Sequence, residues 1–285
     1  MIDLHMHSTA SDGTFKPAEL IRLAEQLGLT ALALTDHDTV DGLPDFIEAA
    51  RNSTVTAIPG IEFSSAWYGA SLHIVGLYID PQSSALRQLL TSLITIRDER
   101  NLRIIANLQK LGYGITLDSV VAASGGGVIG RPHIAKALVN AGHFTSQKDA
   151  FDKLIGQGKP GYVRRHLPLP GEIIDTIHKA GGIAVWAHPL SGGRFSAARM
   201  RQVLRVLLPA GLDALEGYYG DYTDDQEKVS CTVAWESNLL VSGGSDFHGG
   251  NSPGVQMGTG RGRMNIHDDC LAPLTERAAI YRARR

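Results

Sequence analysis

Two histidines one residue apart, His5 and His7, lie in the opening segment IDLHMHSTASDG (residues 2–13), and Asp12 follows in a turn rich in serine and glycine. Side chains two positions apart on a β-strand point to the same face, so both imidazoles could bind one metal ion. Imidazole is a good ligand for Zn, Fe and Mn, and carboxylates can bridge two such ions. The segment alone fits two interpretations, a hydrogen-bonded polar pair in a core or the first part of a metal site.

Further histidines and carboxylates stand at the predicted ends of other apolar runs, and His73 lies within the predicted strand 71–79. The candidates that join the first three are His37, Glu62, His73, His188, Asp246 and His248. In a parallel α/β barrel the active site lies at the carboxyl ends of the strands, where these side chains would meet. The set is too large for one tetrahedral ion and suits two or three ions bridged by Glu62 or Asp246. Because two metal ions about 3.5–4 Å apart are the usual arrangement for phosphate-ester hydrolysis, the pattern predicts a multinuclear metal site.

Short apolar runs alternate with amphipathic stretches along most of the chain. Strands are predicted at residues 1–7, 30–38, 55–63, 71–79, 182–189, 212–219 and 239–248. Helices are predicted between them at residues 16–28, 170–182, 196–211 and 224–237. Runs that are apolar throughout are typical of parallel strands covered on both faces. The predicted fold class is therefore α/β, with a (β/α) barrel as the architecture.

The alternation stops between about residues 83 and 166, where helical patterns follow one another. A long helix is predicted at residues 83–112, then a glycine-rich turn at Gly125–Gly127, then shorter helices near 132–141 and 147–156. We therefore expect a helical insertion domain at residues 83–166, with residues 1–82 and 167–285 forming the barrel.

The chain has 285 residues, with 27 Lys and Arg against 29 Asp and Glu. This balance gives no general attraction for nucleic acid, so affinity for nucleotides must come from a local cluster of cations. Two cysteines without a Cys-x-x-Cys pair argue against a disulfide framework or a thiolate zinc site. The sequence has no apolar run long enough to span a membrane and no secretion signal. We expect a cytoplasmic protein that contacts no membrane, and no obligatory protein partner is indicated.

The motifs DLHMHS, TDHD, PGIEFS, AHP and GSDFH, in this order, resemble the signatures of the polymerase-and-histidinol-phosphatase (PHP) family. The resemblance spans nearly the whole chain and implies a distorted (β/α)7 barrel, similar to a TIM barrel, with three metal ions. The implied ligands of the first metal are His5, His7, Glu62 and Asp246. The implied ligands of the second metal are Asp12, His37 and His248. The implied ligands of the third metal are Glu62, His73 and His188.

The helical insertion is similar to that of small stand-alone members of the family, which act as 3′,5′-nucleoside bisphosphate phosphatases and include a 5′→3′ exoribonuclease of RNA ends. The matching segments here are IRDERN (96–101) and GRPHIAKAL (130–138). The substrate-binding residues that this resemblance implies are Arg97, Arg100, Asn101, Arg131, Pro132 and His133. Arg97 and Arg100 share one face of a helix, and arginine suits bidentate contact with phosphate. Without the resemblance, a solvated helix face would be the favoured explanation of these two arginines.

The chemistry expected from such a site is metal-assisted hydrolysis of a phosphate ester. A hydroxide that bridges two metals is the expected nucleophile, and either His188 or a water could protonate the leaving oxygen. Mn²⁺ is the ion we most expect, and Fe or Zn is also compatible with so many imidazoles. Asp3 and Asp36 are expected to orient the ligands, although a simple structural role suits Asp3 as well. The expected substrate is a small nucleotide or the 5′ end of an RNA.

Three other functions remain open from the sequence. A metal-dependent amidohydrolase also begins with His-x-His on its first strand, although no bridging lysine is evident at a strand end here. A histidinol phosphatase would share the motifs, but the arginine-bearing insertion argues against it. A non-catalytic nucleotide- or RNA-binding module would have no need of such a complete ligand set. The glycine-rich segment 249–264 could be either a loop over the site or a mobile tail.

Overall fold

A computed structural model describes residues 1–67, 70–125, 128–193 and 195–284. Seven strands form one sheet in the order in which they follow along the chain. They are β1 (Ile2–Asp3), β2 (Ala31–Leu34), β3 (Thr56–Trp67), β4 (Ala70–Leu77), β5 (Ile183–Ala187), β6 (Ala214–Tyr219) and β7 (Leu240–Gly244). The described residues also form helices α1 (Pro17–Gln26), α2 (Leu43–Ala50), α3 (Ser84–Lys110), α4 (Leu117–Ser124), α5 (Arg131–Asn140), α6 (Gln147–Ala150), α7 (Pro170–Lys179), α8 (Ala197–Leu207), α9 (Asp224–Glu236) and α10 (Leu271–Arg282).

The first and last strands of the sheet come together. Leu4 N donates to Gly243 O at 3.1 Å, and His7 N donates to Phe247 O at 3.0 Å. Met6 pairs with Phe247 in a parallel bridge. The sheet therefore closes almost completely into a seven-stranded barrel, which confirms the predicted α/β barrel class.

The prediction that the strands are all parallel is wrong for β4. This strand runs antiparallel to both of its neighbours, β3 and β5. Only two residues separate β3 from β4, and a parallel pair would need a crossover of a dozen residues or more. The reversal places the amino-terminal half of β4 at the rim where neighbouring strands end. His73 consequently lies opposite Ala187, the last residue of β5.

Local sequence explains where several helices begin. Pro17 and Pro170 occupy the first turn of α1 and α7, where the missing N–H of proline costs no hydrogen bond. The Ser196 hydroxyl accepts a hydrogen bond from Arg199 N at 3.3 Å and caps α8. The sequence analysis did not predict α2, α4 and α10, because α2 and α4 are short and α10 has no clear apolar stripe.

Contacts divide the chain into a barrel unit, residues 1–89 and 168–285, and a helical unit, residues 90–167. The helical unit has its own apolar core, which includes Ile104, Leu108, Ile134, Leu138 and Leu154. The division falls within α3, seven residues after the predicted start of the insertion, because α3 is continuous and no linker marks a boundary. Of the glycine-rich turn predicted at Gly125–Gly127, only Gly125 lies among the described residues.

The glycine-rich segment 249–264 is built into the barrel unit. Gly258 N donates to Asp3 Oδ2 at 2.8 Å, and Ile2 N donates to the carbonyl oxygen of Ile266 just after the segment. At Gly260 an added Cβ would come within 2.4 Å of the Gly220 backbone, so only glycine permits this approach. Within the described part of the chain, no helix combines the length and apolar character needed to cross a membrane.

One buried carboxylate, Asp213, holds α10 against the barrel. Its Oδ2 accepts from His178 Nε2 at 2.8 Å and from Ala184 N at 2.9 Å. Its Oδ1 accepts from Tyr281 Oη at 2.9 Å and from Arg277 Nη1 at 3.2 Å. We predict that Asp213→Ala lowers the free energy of unfolding by about 3 kcal/mol, because the buried N–H of Ala184 and three partly buried side-chain donors lose their acceptor. Urea unfolding with Asp225→Ala, an exposed carboxylate, as the control would test this, and a loss below about 1 kcal/mol would contradict it.

Candidate metal centre

His5 and His7 lie at the rim of the barrel, and both side chains are fully buried. Their Nε2 atoms face the same two carboxylates. His5 Nε2 lies 3.4 Å from Glu62 Oε2 and 3.5 Å from Asp246 Oδ1. His7 Nε2 lies 3.3 Å from Glu62 Oε2 and 3.2 Å from Asp246 Oδ1. These four residues form the first group of candidate ligands.

Among the described residues, three buried atoms of the first group, His5 Nε2, His7 Nε2 and Glu62 Oε2, make no hydrogen bond of standard geometry, although Glu62 Oε2 lies 2.9 Å from His37 Nδ1. Each unpaired polar atom in an interior costs about 1–3 kcal/mol. A cation placed among them would satisfy all three at once. Two imidazoles and two carboxylates also form a ligand set that suits Mn, Fe or Zn. The residues therefore fit a divalent metal ion.

A second group consists of His7, Asp12, His37 and His248. Asp12 Oδ1 lies 3.2 Å from His248 Nε2 and 3.8 Å from His7 Nδ1. Asp12 Oδ2 lies 4.0 Å from His37 Nε2. The rings of His7 and His248 stack with their centroids 4.0 Å apart. The resemblance implied three of these residues for the second metal, and the structure adds His7, which is common to the first two groups.

Glu62 joins the third group, with His73 and His188, to the first. Its Oε1 lies 2.7 Å from His73 Nδ1 and 3.1 Å from His188 Nε2. Its Oε2 lies 2.9 Å from His37 Nδ1, a member of the second group. Glu62 does not end its strand as predicted, because β3 continues to Trp67 in a hairpin with β4. The structure thus brings all nine predicted ligand residues into three groups, which His7 and Glu62 link.

Charge in the centre is strongly coupled. Burial alone would lower the pKa of His5, but the carboxylates of Glu216, Glu62 and Asp246 raise it well above its ordinary value. Burial likewise opposes the charge on His37 and His248, yet nearby carboxylates raise their pKa values to about 9 and about 10. The surrounding carboxylates therefore favour the charged form of these imidazoles. Since imidazole must be neutral to bind a metal, binding would release protons.

Two candidate ligands have backbone conformations that are rare for L-residues. His188 has φ of +31° and Asp246 has φ of +56°. Such conformations cost about 1–3 kcal/mol each and persist where the surrounding structure enforces them. The unusual turns directly after β5 and β7 therefore place these side chains in the centre.

Asp36 and Asp3 accept hydrogen bonds from residues close in sequence to the candidate ligands Asp12 and Asp246. Asp36 accepts from Ser8 N at 2.8 Å, from Ser8 Oγ at 2.6 Å and from Ser11 Oγ at 2.5 Å, which fixes the loop that carries Asp12. Asp3 is fully buried and accepts from Ser245 N at 2.9 Å, next to Asp246. Within the described residues, neither carboxylate makes a hydrogen bond to the imidazole of a candidate ligand.

The sequence analysis missed Glu216 and Tyr219, both on β6. Glu216 Oε1 accepts from His5 Nδ1 at 2.8 Å, and Glu216 Oε2 accepts from His188 N at 2.5 Å. Tyr219 Oη donates to Asp246 Oδ2 at 2.8 Å. A signal was available, because Glu216 is the acidic residue in the middle of the apolar strand LDALEGYY (212–219). A buried charge of this kind indicates a paired or ligand-orienting role.

We predict that Glu216→Gln weakens the binding of the first metal by about 10- to 100-fold, the usual effect of changing a group that orients a ligand histidine. The carboxylate keeps the proton of His5 on Nδ1 and thereby leaves Nε2 as the ligand atom. Equilibrium titration of metal-free protein with Mn²⁺ would measure the change. Glu236→Gln, which alters an exposed ion pair with Arg201, serves as the control, and equal affinities in the two variants would refute this role.

A pocket in the barrel unit gives access to the centre. It is lined by His37, Glu62, His73, His188, Ser191, Tyr219 and Asp246. A small anionic group that entered it would meet candidate ligands of all three groups.

The helical unit contains a separate cluster of polar side chains. Arg97, Arg100, Asn101 and His133 are each less than 10% exposed. Arg100 Nη2 donates to Asn101 Oδ1 at 2.8 Å, and an added Cβ at Gly130 would lie 3.3 Å from Arg97 Nη1. Gly130 N donates to His133 Nδ1 at 3.1 Å, so a neutral His133 carries its proton on Nε2. The cluster concentrates donors and positive charge in a protected place, as an anion site requires.

Arg131 differs from the other predicted substrate residues. Its guanidinium lies 5.7 Å from the ring centre of Phe151 and 5.5 Å from that of Tyr162. Arg131 and Pro132 form the first turn of α5. Arg131 thus makes cation–π contacts within the helical unit, and Pro132 helps the helix to begin.

Comparison with known proteins gives a consistent result. The sequence model of the PHP domain matches residues 3–156. A 5′-3′ exoribonuclease of Haemophilus influenzae is 37% identical over 246 residues, which are 86% of this chain and 89% of that protein. A 3′,5′-nucleoside bisphosphate phosphatase of Chromobacterium violaceum is 34% identical over 260 residues and 90% of each chain.

A solved structure extends the similarity to the whole fold. It is that of a protein from Bifidobacterium adolescentis predicted to be a metal-dependent phosphoesterase. The two structures superpose with a TM-score of 0.85 and 30% sequence identity, over 97% of this chain and 96% of the other.

Proposed function

The chain belongs to the PHP domain family, and from that membership we propose that it is a phosphatase that removes the 3′-phosphate from nucleoside 3′,5′-bisphosphates. The observation that carries the proposal is the convergence of nine candidate ligands into three groups linked by His7 and Glu62. Several metal ions held close together are the arrangement that phosphate-ester hydrolysis uses. The relative named as a bisphosphate phosphatase matches 90% of this chain, which supports the choice of substrate.

We propose one set of ligands for each metal. The first ion would be held by His5, His7, Glu62 and Asp246. The second ion would be held by Asp12, His37 and His248. The third ion would be held by Glu62, His73 and His188. When bound, divalent ions, of which Mn²⁺ is the one we most expect, would activate a water and offset the charge on the phosphoryl group.

His188 has two possible roles that exclude each other at one nitrogen. An imidazole nitrogen that binds a metal cannot also carry the proton that the leaving oxygen needs. His188 Nε2 lies 3.1 Å from Glu62 Oε1, within the third group. We therefore propose His188 as a ligand, and a water as the source of the proton for the ribose oxygen.

The second phosphate of the substrate is assigned to the helical unit. Following the family resemblance, we propose that Arg97, Arg100 and His133 bind the 5′-phosphate and that Asn101 orients Arg100. Arginine offers paired donors for phosphate oxygens, and the Nε2 proton of His133 is a further donor. Binding energy at this phosphate would orient the reacting one, so we expect the protein to prefer substrates with two phosphates.

A second candidate substrate is the 5′ end of an RNA. It is supported by the relative named as a 5′-3′ exoribonuclease, which matches 86% of this chain. The terminal 5′-phosphate would occupy the helical-unit cluster, and the first phosphodiester would take the place of the 3′-phosphate. A cytoplasmic location is part of the proposal.

Phosphate release across a panel of substrates tests the proposal. We predict that adenosine 3′,5′-bisphosphate is cleaved with a kcat/KM at least about 100-fold above that for 5′-AMP or histidinol phosphate, because only the bisphosphate fills both phosphate sites. The second candidate substrate is tested with a 5′-phosphorylated oligoribonucleotide, by measuring the release of mononucleotides. Preference for histidinol phosphate, or for amides and lactones, would contradict the proposal.

A further inference from the structure

Tyr219 lies between two of the candidate metal groups without belonging to either. Its hydroxyl donates to Asp246 Oδ2 at 2.8 Å, and its ring lies 5.1 Å from the ring of His188. The side chain of Ser191 is a further hydrogen-bond partner. We propose that Tyr219 is a positioning residue. It holds the side chains of Asp246, in the first group, and His188, in the third group, in the orientations that metal binding requires. The inference rests on the proposed metal centre.

The backbone shows why these two ligands need support. Both have positive φ angles, +56° for Asp246 and +31° for His188, and a chain segment with this conformation relaxes unless its surroundings prevent it. The backbone N–H of each residue makes a hydrogen bond, since Asp246 N donates to His5 O at 2.9 Å and His188 N donates to Glu216 Oε2. Tyr219 in addition contacts the side chains of both residues.

The single proton of Tyr219 separates a positioning role from a catalytic one. A tyrosine hydroxyl has one hydrogen to donate, and here it is directed at Asp246 Oδ2. It cannot also be donated to a substrate oxygen without being lost from Asp246. Occupation of Oδ2 leaves Oδ1 as the oxygen that faces His5 Nε2 and His7 Nε2. Tyr219 thereby selects the oxygen of Asp246 that is available to a metal.

Strand β6 thus has a distinct part in the proposed centre. It supplies none of the nine candidate ligands, yet Glu216 and Tyr219 together contact ligands that follow β1, β5 and β7. Tyr219 is 7% exposed and lines the pocket.

Tyr219→Phe keeps the ring and removes only the hydroxyl, so it tests the proposal with little disturbance. Full-length protein freed of metal with a chelator would be titrated with Mn²⁺, and free Mn²⁺ would be followed by its electron paramagnetic resonance signal. We expect the variant to bind Mn²⁺ about 10-fold more weakly or worse, with the melting temperature of the metal-free protein changed by less than about 2 °C. Tyr218→Phe, whose hydroxyl contacts Cys231 on α9, is the matched control and should bind Mn²⁺ as the wild type does.

Three results would overturn the proposal. One is unchanged Mn²⁺ affinity in Tyr219→Phe together with a lower kcat at constant KM, which would make Tyr219 a donor to the substrate. Another is unchanged affinity with a lower melting temperature, which would make it a structural residue. The third is equal loss of affinity in Tyr218→Phe. If the wild-type protein binds Mn²⁺ but releases no phosphate from a bisphosphate, the proposed function is contradicted, whereas the positioning role of Tyr219 is not.

Discussion

Replacement of Asp246 by alanine is expected to lower kcat/KM for adenosine 3′,5′-bisphosphate by about 10³-fold or more. Asp246 Oδ1 is one of two carboxylate oxygens that face both His5 Nε2 and His7 Nε2. Its loss would remove an anionic ligand from the first group and leave two buried imidazoles with one carboxylate fewer. A 10³-fold loss corresponds to about 4 kcal/mol of transition-state stabilisation, which is the scale of charge stabilisation that a metal ion provides.

Metal content measured on the same samples distinguishes the loss of a metal ligand from a general disturbance of the fold. The Asp246→Ala protein should bind at least one metal ion per chain less than the wild type binds. Asp225→Ala, which removes an exposed carboxylate, is the control and should keep full metal content and activity. Full metal content together with normal kcat/KM in Asp246→Ala would exclude Asp246 as a ligand.

Arg100→Ala is expected to lower kcat/KM for the bisphosphate by about 10²-fold and to leave hydrolysis of a simple aryl phosphate within about twofold of wild type. A charge-assisted hydrogen bond contributes about 1.5–3 kcal/mol, and a bidentate arginine makes two. Only a substrate with a second phosphate can use them. The ratio of the two kcat/KM values therefore measures the contribution of the proposed 5′-phosphate site.

Arg103→Ala is the matched control on the same helix. Arg103 is 69% exposed and forms an ion pair with Glu99 across one turn, so its removal should change neither substrate. An equal loss of activity on bisphosphate and aryl phosphate in Arg100→Ala would contradict the assignment, because it would indicate that Arg100 supports the fold or the metal centre instead.

Residue types and spacing predicted the candidate ligands because chemistry restricts where such residues occur. A histidine such as His188 directly after an apolar run has few structural reasons to be there, and the same holds for Asp246 and His248 after the last strand. The barrel brings strand ends together whatever the loop sequences are. Residues distant in sequence could therefore be assigned to one centre before their geometry was known.

Other features depend on contacts that a single sequence does not display. The reversal of β4 follows from a connection of two residues, and an apolar run looks the same in either direction. Glu216 and Tyr219 support the candidate ligands through hydrogen bonds to residues at least 27 positions away along the chain. Only the folded barrel shows that Glu216 faces His5 and that Tyr219 faces Asp246.

Phosphate release from adenosine 3′,5′-bisphosphate by metal-stripped protein, before and after the addition of Mn²⁺, tests the central claim most directly. If the three groups hold the metals that carry out the reaction, the stripped protein should release almost no phosphate, and Mn²⁺ should restore activity with a stoichiometry of two or three ions per chain. Phosphate release that continues at the same rate in the presence of a chelator, with less than one ion bound per chain, would contradict the account.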